Sequence, residues 1–559
     1  RSTYDKVNGL SDTYITHIKW NSMVKRLLIV YQNQNMDLME QGGVVINLSD
    51  LYQKTMTDDK TVNSIYIKDQ YAYLACGFGI VKVDMQRIEI SESYNLGDTI
   101  TNVAIANGNI YAKTIKGKVL SAAISANLLD PHNWSTTTSY DSAIFNIDRS
   151  DYNNNLATVE TLNPGGPKYN YFFNMLMHNG QLYTDSGGFN QFSNFQRPGT
   201  IQVLNEDKEW TIYQDDIHPA FASQYRDVNS IAIDPRDNNH VMVDSCSGLY
   251  EFMDGKFQKN YTAGNTDYFE SAASNGAPDY VRTDGILYDK EGNLFCLNSG
   301  STTGIIKYSS EGKWSGFMDN ALIDKPDHAM RQMKKAIFDS RGLMWFINSH
   351  SSNPSFFYFD KQNENIVKYD HFVNQDGTTI EGCVPRCIME DNHGYIWVGT
   401  TKGPYYLTMA EIADNTKGII QYKVPRNDGT NYADYLLDGI EITCMAIDGG
   451  GRKWFGTADN GVYLISADNN TQLQHFTISN SPLLSNVLES IAINNETGEV
   501  FFGTGNGLCS YLSDATTPTE EMTDDNVYAY PNPVTPDYNG LITVLGLSYD
   551  ADVKILSSN

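Results

Sequence analysis

Acidic side chains are the most abundant candidates for chemistry in this sequence, with 67 Asp and Glu against 40 Lys and Arg. Hydrolysis of a glycosidic bond would need two of them facing one pocket at about 5–9.5 Å. The acids that can be placed fall instead in turns between strand-like runs. The ten His show no HExxH motif and no spacing of metal ligands, and no CxxC occurs. The sequence therefore predicts a protein that is not an enzyme and needs no metal or cofactor.

Seven cysteines form the next candidate set, and their number is odd. In an extended strand, the Cα atoms of Cys383 and Cys387 would lie about 13 Å apart at about 3.3 Å per residue, beyond disulfide reach. Cys387 and Cys444 occupy the same position of a repeated pattern, four residues before Asp391 and Asp448. We expect Cys387 and Cys444 to be free, buried thiols on the innermost strands of neighbouring repeat units.

The charge of the chain limits its partners, since the formal net charge is −27 and the pI is near 4.6. Such a surface repels nucleic-acid phosphates and anionic headgroups, and no long Lys/Arg cluster offsets it, so we expect no nucleic acid partner. No run of about 18 apolar residues occurs, and no membrane span is predicted. The chain begins at Arg1 without a signal-peptide pattern, which we interpret as a mature or trimmed product.

A sequence motif that recurs along the chain is predicted to form the strands and turns that position any site. DNHGYIWVGTTKG at 391–403 returns as DGGGRKWFGTADNG at 448–461 and, more loosely, as NNETGEVFFGTGNG at 494–507. The turn residues of six such copies are 46 to 57 residues apart: Asp234, Asp289, Asp339, Asp391, Asp448 and Asn494. A period near 50 residues built from short strands is typical of a β-propeller.

The residue types of one repeat unit, at 387–410, can be explained by the strands and turns that they are predicted to form. A short apolar run forms the first strand, Asp391 caps a tight turn, and Gly394 adopts the positive φ of that turn. On the second strand, we predict that Trp397 wedges between neighbouring blades and that Gly399 lets sheets approach where a Cβ would intrude. PYYLTMA is predicted to be the third strand. The equivalent architectural residues in the next copies are Trp454, Gly456 and Gly503.

The number and position of the repeat units predict how the chain divides into domains. Seven fall between 174 and 512, which makes one full ring, and about four weaker copies lie upstream, the last at 143–160. We predict an all-β protein with two β-propellers of the seven-bladed type and the start of a small C-terminal β-sandwich. The predicted boundaries are 1–170 for the first propeller, with an incomplete N-terminal blade, 171–514 for the second, 515–525 for a linker and 526–559 for the sandwich. Four or five blades cannot close the first ring. Either some of its blades are unrecognised, or residues are missing, or the chain returns to that ring later.

Ligands of propellers usually bind where loops surround the mouth of the channel. The residues five positions before each turn Asp or Asn are expected to start the innermost strands. Among them, Lys334 and Arg386 fall on consecutive blades, and Arg282 lies two residues before the equivalent position of the preceding blade. These three are candidate ligand-binding cations. The alternative is that they are solvated or salt-bridged rim residues, and as rim charges they would contribute little to folding.

Three features indicate a family. The repeat resembles the two-component regulator propeller repeat of Bacteroidetes. The YPNPV tail, which contains Tyr530, Pro531, Asn532 and Pro533, is similar to the start of the C-terminal sorting-type domain of type IX secretion cargo and components. Residues 8–98, with NGLSD, RLLIVYQNQNMDLME and YLACGFGIVKVD, resemble the first ring of the PorZ-like proteins of that secretion system.

The resemblance implies a non-catalytic protein in the periplasm or at the outer-membrane surface of a Gram-negative Bacteroidetes-type bacterium. It implies an attachment complex with a sortase, an outer-membrane barrel shuttle protein and an accessory subunit, in which the chain presents anionic lipopolysaccharide to the sortase. An alternative class has the same repeat: the oligosaccharide-sensing periplasmic region of a hybrid two-component regulator. A sensor would continue into an Ig-like stalk, a membrane span and a kinase, whereas this chain enters YPNPV at 530–534.

Overall fold

The structure is a computed structural model in which the chain divides into two compact units, Arg1–Pro164 and Gly165–Asn559. Its regular structure is almost entirely β-strand. The residues that the structure describes are 4–6, 9–146, 166–215, 225–272, 280–426, 429–519, 522–523, 527–530, 532–535, 538, 542–548 and 551–554.

The described part of the first unit contains three four-stranded antiparallel sheets, each a propeller blade whose strands pair in chain order. Their strands are β1 (Ile15–Asn21), β2 (Arg26–Tyr31), β3 (Met36–Glu40), β4 (Val45–Leu48), β5 (Val62–Lys68), β6 (Tyr71–Cys76), β7 (Gly79–Asp84), β8 (Glu89–Asn95), β9 (Ile100–Ala106), β10 (Asn109–Thr114), β11 (Val119–Ala123) and β12 (Ser135–Thr136). The helices are α1 (Asp50–Gln53) and two 3-10 turns, Pro131–Asn133 and Ser142–Phe145.

The prediction of a fourth upstream repeat unit at 143–160 is wrong for the part of that range that the structure describes. Its first residues lie in the 3-10 turn Ser142–Phe145 rather than in a strand. The reason is local, because the side chain of Asp141 accepts a hydrogen bond from the backbone N–H of Ala143 at 2.9 Å and so caps that turn. Residues 147–160 lie outside the described residues.

The described residues of the second unit form a ring of seven sheets, six of four or more strands and a last one of three. Their strands are β13 (Asn174–His178), β14 (Gln181–Asp185), β15 (Ile201–Leu204), β16 (Trp210–Ile212), β17 (Ile231–Asp234), β18 (Asp237–Ser245), β19 (Gly248–Met253), β20 (Lys256–Tyr261), β21 (Thr283–Tyr288), β22 (Leu294–Asn298), β23 (Ile305–Tyr308), β24 (Trp314–Phe317), β27 (Met333–Phe338), β28 (Met344–Asn348), β29 (Ser355–Asp360), β30 (Asn365–Tyr369), β31 (Phe372–Asn374), β32 (Pro385–Glu390), β33 (Ile396–Thr400), β34 (Gly403–Leu407), β35 (Ile419–Gln421), β38 (Ile442–Ile447), β39 (Lys453–Thr457), β40 (Val462–Ile465), β41 (Gln472–Phe476), β42 (Leu488–Asn494), β43 (Glu499–Thr504) and β44 (Gly507–Leu512).

Shorter elements connect the blades and form the tail. The small hairpins are β25 (Ile323–Lys325) with β26 (His328–Ala329), β36 (Lys423–Pro425) with β37 (Ala433–Tyr435), and, in the tail, β45 (Tyr528–Tyr530) with β46 (Thr543–Leu545). The helices are α2 (Met409–Ala413) and the 3-10 turns Asn320–Leu322 and Asn415–Lys417. Pro531, part of the predicted tail motif, lies outside the described residues.

The fifth blade of the ring shows why the repeat has its residues. Asp391 lies in the turn between β32 and β33, and its Oδ1 accepts hydrogen bonds from the backbone N–H of His393 at 2.9 Å and of Tyr395 at 3.1 Å. Its Oδ2 accepts one from Trp397 Nε1 at 2.8 Å. Gly394 has φ +74° in the same turn. A single carboxylate therefore closes the turn and also fixes the buried indole six residues later.

The equivalent carboxylates of two other blades make the same bond. Trp345 Nε1 donates to Asp339 at 2.7 Å, and Trp454 Nε1 donates to Asp448 at 3.1 Å. All three indoles are fully buried, and the ring of Trp397 lies 6.2 Å from that of Phe455 on the next blade.

Glycines bring the inner strands of neighbouring blades together. A Cβ on Gly399 would lie 2.4 Å from Cys387 Sγ and 2.8 Å from Ile442 of the next blade. The equivalent Cβ on Gly503, in the last blade, would lie 2.4 Å from the backbone oxygen of Phe172, just before the first blade. The last and first blades therefore meet as other neighbours do, and Ser490 Oγ donates to that same Phe172 oxygen at 2.5 Å.

The cysteine prediction is confirmed. Cys387 and Cys444 lie on β32 and β38, the innermost strands of neighbouring blades, and both are buried and free. Burial raises the pKa of the Cys444 thiol to about 12. The thiols are therefore protonated near neutral pH and unreactive.

The third strand of the fifth blade is shorter than PYYLTMA predicts. β34 ends at Leu407 because Thr408 caps α2, where its hydroxyl accepts from the N–H of Ala410 at 3.2 Å. Glu411 accepts from the backbone N–H of Thr408 at 2.9 Å, which completes a capping box.

Candidate functional site

A cavity of about 270 Å³ opens at one mouth of the second ring. Strands β27, β32, β38 and β42 begin there, and the loop between β14 and β15 covers one side. Its lining combines cations with aromatic rings: Phe173, Phe189, Asn190, Gln191, Phe192, Phe195, Gln332, Lys334, Lys335, Ser349, Arg386, Thr443, Leu488 and Glu489. A second chamber of about 160 Å³ shares Lys335, Thr443 and Glu489 with it and lies farther along the inner strands.

A backbone irregularity in β27 places two lysines in the same cavity. Successive side chains of a regular strand point to opposite faces. The register of β27 against β28 shifts between Lys334 and Ile337, and Lys335 has φ +57°. Both Lys334 and Lys335 therefore line the cavity.

Lys334 is buried, with 7% of its surface exposed, so the alternative that it is a solvated rim residue is wrong. Among the described residues, its ammonium group has no hydrogen-bond or salt-bridge partner. Burial lowers the pKa of Lys334 to about 8, against the attraction of Asp284, and the neighbouring cations Lys335, Arg386 and Arg282 lower it further. The expectation that this charge contributes little to folding assumed an exposed rim position, whereas burying a charge is costly. The effect of Lys334 on folding stays a prediction.

The other two predicted cations are already engaged. Arg386 lines the cavity, where its Nε donates to Glu441 at 2.7 Å and its Nη1 to Ser349 Oγ at 3.0 Å. Arg282 lies behind the cavity wall, with its guanidinium 4.8 Å from the centre of the Phe189 ring. It supports the wall rather than lining the cavity.

The loop between β14 and β15 supplies the aromatic wall. Phe189 lies against Arg282, and Phe195 packs edge-on against Phe173 with ring centres 5.4 Å apart. Phe192 is 85% exposed at the tip of the loop. The wall thus has two fixed rings and one ring that is free to cover a ligand.

Gln332 contributes a hydrogen-bond acceptor, its side-chain oxygen, to which none of the described residues donates. Its backbone N–H donates to Asn348 Oδ1 at 3.1 Å, and its backbone oxygen accepts from Ser349 N–H at 2.9 Å. Its side-chain Oε1 is buried without a hydrogen-bond partner. A buried acceptor without a partner beside a cavity can accept a hydrogen bond from a bound molecule.

Buried carboxyl groups surround the lysines. Burial raises the pKa of Asp185 to about 7, although Asn174, Lys335 and the N–H of Gly187 counteract it. Burial also raises the pKa of Asp244 well above its usual range, and the nearby carboxyl of Asp284 adds to this shift. Burial raises the pKa of Glu489 despite the guanidinium of Arg197, 3.7 Å away. Burial therefore disfavours the ionised forms of these carboxyl groups, which weakens the negative charge opposite the lysines.

Sequence reasoning missed Lys335, Gln332 and the phenylalanine loop. Lys335 adjoins a predicted residue, yet strand alternation places it on the opposite face. The three phenylalanines lie in SGGFNQFSNFQRP (186–198), and a clustered aromatic–Gly–Asn loop between two strands was the available signal.

Two further observations concern the described residues alone. They contain no group of three or more His, Cys, Asp or Glu that could hold a metal ion. They also contain no helix long and apolar enough to cross a membrane.

Two family models match this chain. Residues 1–135 match the N-terminal β-propeller domain of PorZ, and residues 380–402 match the two component regulator propeller repeat. No match was found among curated proteins.

Solved structures with a similar fold include PorZ of Porphyromonas gingivalis, described as an essential bacterial surface component of the type-IX secretion system. It is 23% identical with a TM-score of 0.79, over 98% of this chain and 86% of that one. The extracellular domain of BT3049 of B. thetaiotaomicron, described as a hybrid two component system, is 15% identical with a TM-score of 0.21, over 92% and 65%. The chain is therefore PorZ-like: it has a PorZ-type N-terminal propeller domain at 1–135, a two-component regulator propeller repeat at 380–402, and the fold of PorZ along nearly its whole length.

Proposed function

We propose that this chain is a non-catalytic, extracytoplasmic component of a type IX secretion system that binds anionic lipopolysaccharide and presents it to a sortase. The observation that carries the proposal is the cavity at the mouth of the second ring. It contains an unpaired lysine and a phenylalanine wall in a chain that shares its fold with PorZ.

The overall charge opposes an anionic ligand, which makes the local arrangement decisive. A net charge of −27 repels a polyanion at long range. Lys334 and Lys335 act at short range inside a cavity, where low polarity strengthens each interaction. Phenylalanine faces provide apolar surface for sugar rings. Binding should accordingly weaken as salt rises.

We propose the domain division 1–170, 171–514, 515–525 and 526–559 as the functional one, with the last segment as a sorting-type module. In that arrangement the second propeller holds the glycan, while the tail and the other surfaces contact the sortase, the outer-membrane barrel shuttle protein and the accessory subunit. Tyr528–Tyr530 and Thr543–Leu545 already pair as a hairpin in this tail.

Calorimetric titration with anionic lipopolysaccharide, purified from a bacterium with a type IX system, tests the proposal. The neutral lipopolysaccharide of the same strain is the matched ligand. We expect only the anionic form to bind the wild-type chain, and Lys334→Met to lose about tenfold or more in affinity because a charge-assisted bond disappears.

Lys313→Met is the control variant, since Lys313 is largely exposed and pairs only with Glu311 on the surface. It should bind as the wild type does. Absence of binding to the anionic form, or equal binding of both forms, would contradict the proposal. Tight binding of neutral oligosaccharides alone would favour the sensory function of a hybrid two-component regulator.

A further inference from the structure

The size of the mouth cavity limits how much of a glycan can enter it. Its volume of about 270 Å³ lies below the roughly 300–1,000 Å³ of pockets that hold drug-sized ligands. The chamber beyond it is smaller still, at about 160 Å³. Lys335 stands between the two chambers, and its ammonium is held by a hydrogen bond to Asn174 Oδ1. The space therefore suits one sugar ring better than several consecutive residues of a chain.

The charges in the cavity favour an anionic group on the ligand. Arg386 is engaged with Glu441 and Ser349, and Lys335 with Asn174. Lys334 alone has a cavity-facing ammonium without a partner among the described residues. Lys335 keeps its positive charge, because the amide oxygen of Asn174 accepts a hydrogen bond without neutralising the ammonium. The two lysines together therefore attract an anionic group into the cavity.

The unsatisfied oxygen of Gln332 selects a hydroxyl. A carboxylate has no proton to donate, so an anion alone leaves Gln332 Oε1 without a partner. A ligand that satisfies both Gln332 and Lys334 must carry a hydroxyl donor and a negative charge on one small framework. These requirements favour a hydroxylated acid over a simple anion or a fatty acyl chain.

The aromatic wall selects a ring. Phe189 and Phe195 are held in place by Arg282 and Phe173, and Phe192 projects from the loop tip. A pyranose presents an apolar face of C–H groups that packs on such surfaces. Phe192 can cover the ligand only if nothing bulky continues on that side.

We infer that the mouth of the second ring binds the terminal residue of an acidic glycan, one pyranose whose carboxylate contacts Lys334 and whose hydroxyl donates to Gln332. The inference rests on the proposed function and makes it more specific. The site recognises a chain end that bears a uronic acid, not an internal stretch of polysaccharide or the lipid.

Competition calorimetry on the full chain tests the inference, with D-glucuronate as the probe and D-glucose and inorganic phosphate as matched ligands. We expect glucuronate to bind and to displace anionic lipopolysaccharide, with glucose and phosphate each at least about tenfold weaker. Gln332→Leu should weaken glucuronate about tenfold, since it removes the acceptor and preserves the approximate shape.

Phe192→Ala provides a variant whose folding is not in question, because this side chain is almost fully exposed. It should lose about fivefold or more in glucuronate affinity, while Tyr432→Ala, at another exposed aromatic residue, should lose none.

The outcomes separate the two proposals. If lipopolysaccharide binds but glucuronate does not displace it, the terminal-sugar inference fails and the proposed function stands. If glucuronate binds and lipopolysaccharide does not, the proposed function fails. Equal affinities for glucuronate and phosphate, or full affinity in Phe192→Ala, would also overturn the inference.

Discussion

The two faces of the second ring use the same residue type in opposite ways. In the turns at one face, the carboxylate of Asp234 is buried, yet hydrogen bonds from Arg236 and His240 outweigh that burial and lower its pKa to about 2. At the opposite mouth, burial raises the pKa of Asp185 to about 7. The turn acids have full sets of donors, whereas the mouth combines raised carboxyl pKa values with an unpaired ammonium and an orphan amide oxygen.

This difference separates architecture from function. The turn carboxylate recurs in five of the seven blades, and in three of them it also accepts an indole N–H. A carboxylate engaged in this way has little capacity left for a ligand. Polar groups that are buried without partners destabilise the free protein and persist where a ligand repays the cost. The balance between burial and hydrogen-bond donors, not the residue type, therefore separates the turn carboxylates from the carboxyl groups of the mouth.

The largest expected effect is on stability and comes from removing a turn carboxylate that accepts several hydrogen bonds. Asp448→Ala removes the acceptor of the N–H groups of Gly450, Arg452 and Trp454, and the partner of the Arg452 guanidinium. We expect a loss of about 2–4 kcal/mol in the free energy of unfolding, because buried donors are left unpaired. Urea denaturation measures it. The control Asp459→Ala, at an exposed turn, should change stability by less than about 0.5 kcal/mol; equal effects would remove the structural role of the turn acids.

The second-largest expected effect is an increase in the free energy of unfolding rather than a decrease. Lys334→Met should stabilise the fold by up to about 3 kcal/mol at pH 7, because the lowered pKa of Lys334 shows that folding disfavours its charged form. The cost of the lysine is complete below its folded pKa of about 8. It disappears as pH rises towards the unfolded value of about 10.4, so the stabilisation should shrink over that interval. Thermal unfolding at pH 7 and pH 10 measures it. A destabilised Lys334→Met, with an unchanged Lys313→Met, would show that Lys334 is a structural residue.

The smallest effect is a pH dependence of binding at the mouth. Raising the pH deprotonates Lys334 near its pKa of about 8 and ionises Asp185 near its pKa of about 7. Both changes make the mouth less positive, and Lys335, Arg386, Arg282, Glu489, Asp244 and Asp284 face the same region. We expect glucuronate affinity to be several-fold lower at pH 9 than at pH 6. Calorimetry should find a weaker dependence in Lys334→Met; an affinity that rises with pH would contradict the account.

The sequence predicted the ring better than the site, for a physical reason. Spacing alone identified Asp391, Trp397 and Gly399, because each acts within its own blade or on the next one, and the repeat carries that relation along the chain. The same alignment placed Lys334 and Arg386 at equivalent positions. It could not show that one is buried and the other paired, since burial depends on residues from five or more blades.

The remaining part of the site has no repeat at all. Lys335 faces the cavity through a local shift of register, and Gln332 lies just before a strand. The loop with Phe189 and Phe192 occurs between two strands of the first blade alone. A site formed by segments that do not belong to the repeat cannot be predicted from the spacing of the repeat.

The contact between Ser490 and Phe172 joins residues 318 positions apart in the chain. Contacts within a blade link neighbouring strands and can form as soon as those strands exist, while a contact of such long range forms slowly because a long loop must first be closed. Sheet formation and ring closure are therefore distinct kinetic events. Until the last blade arrives, the apolar surface of Leu182 and Leu204 that packs against Ala492 and Phe501 is open to water, so the interval before closure is when this chain is most prone to aggregate.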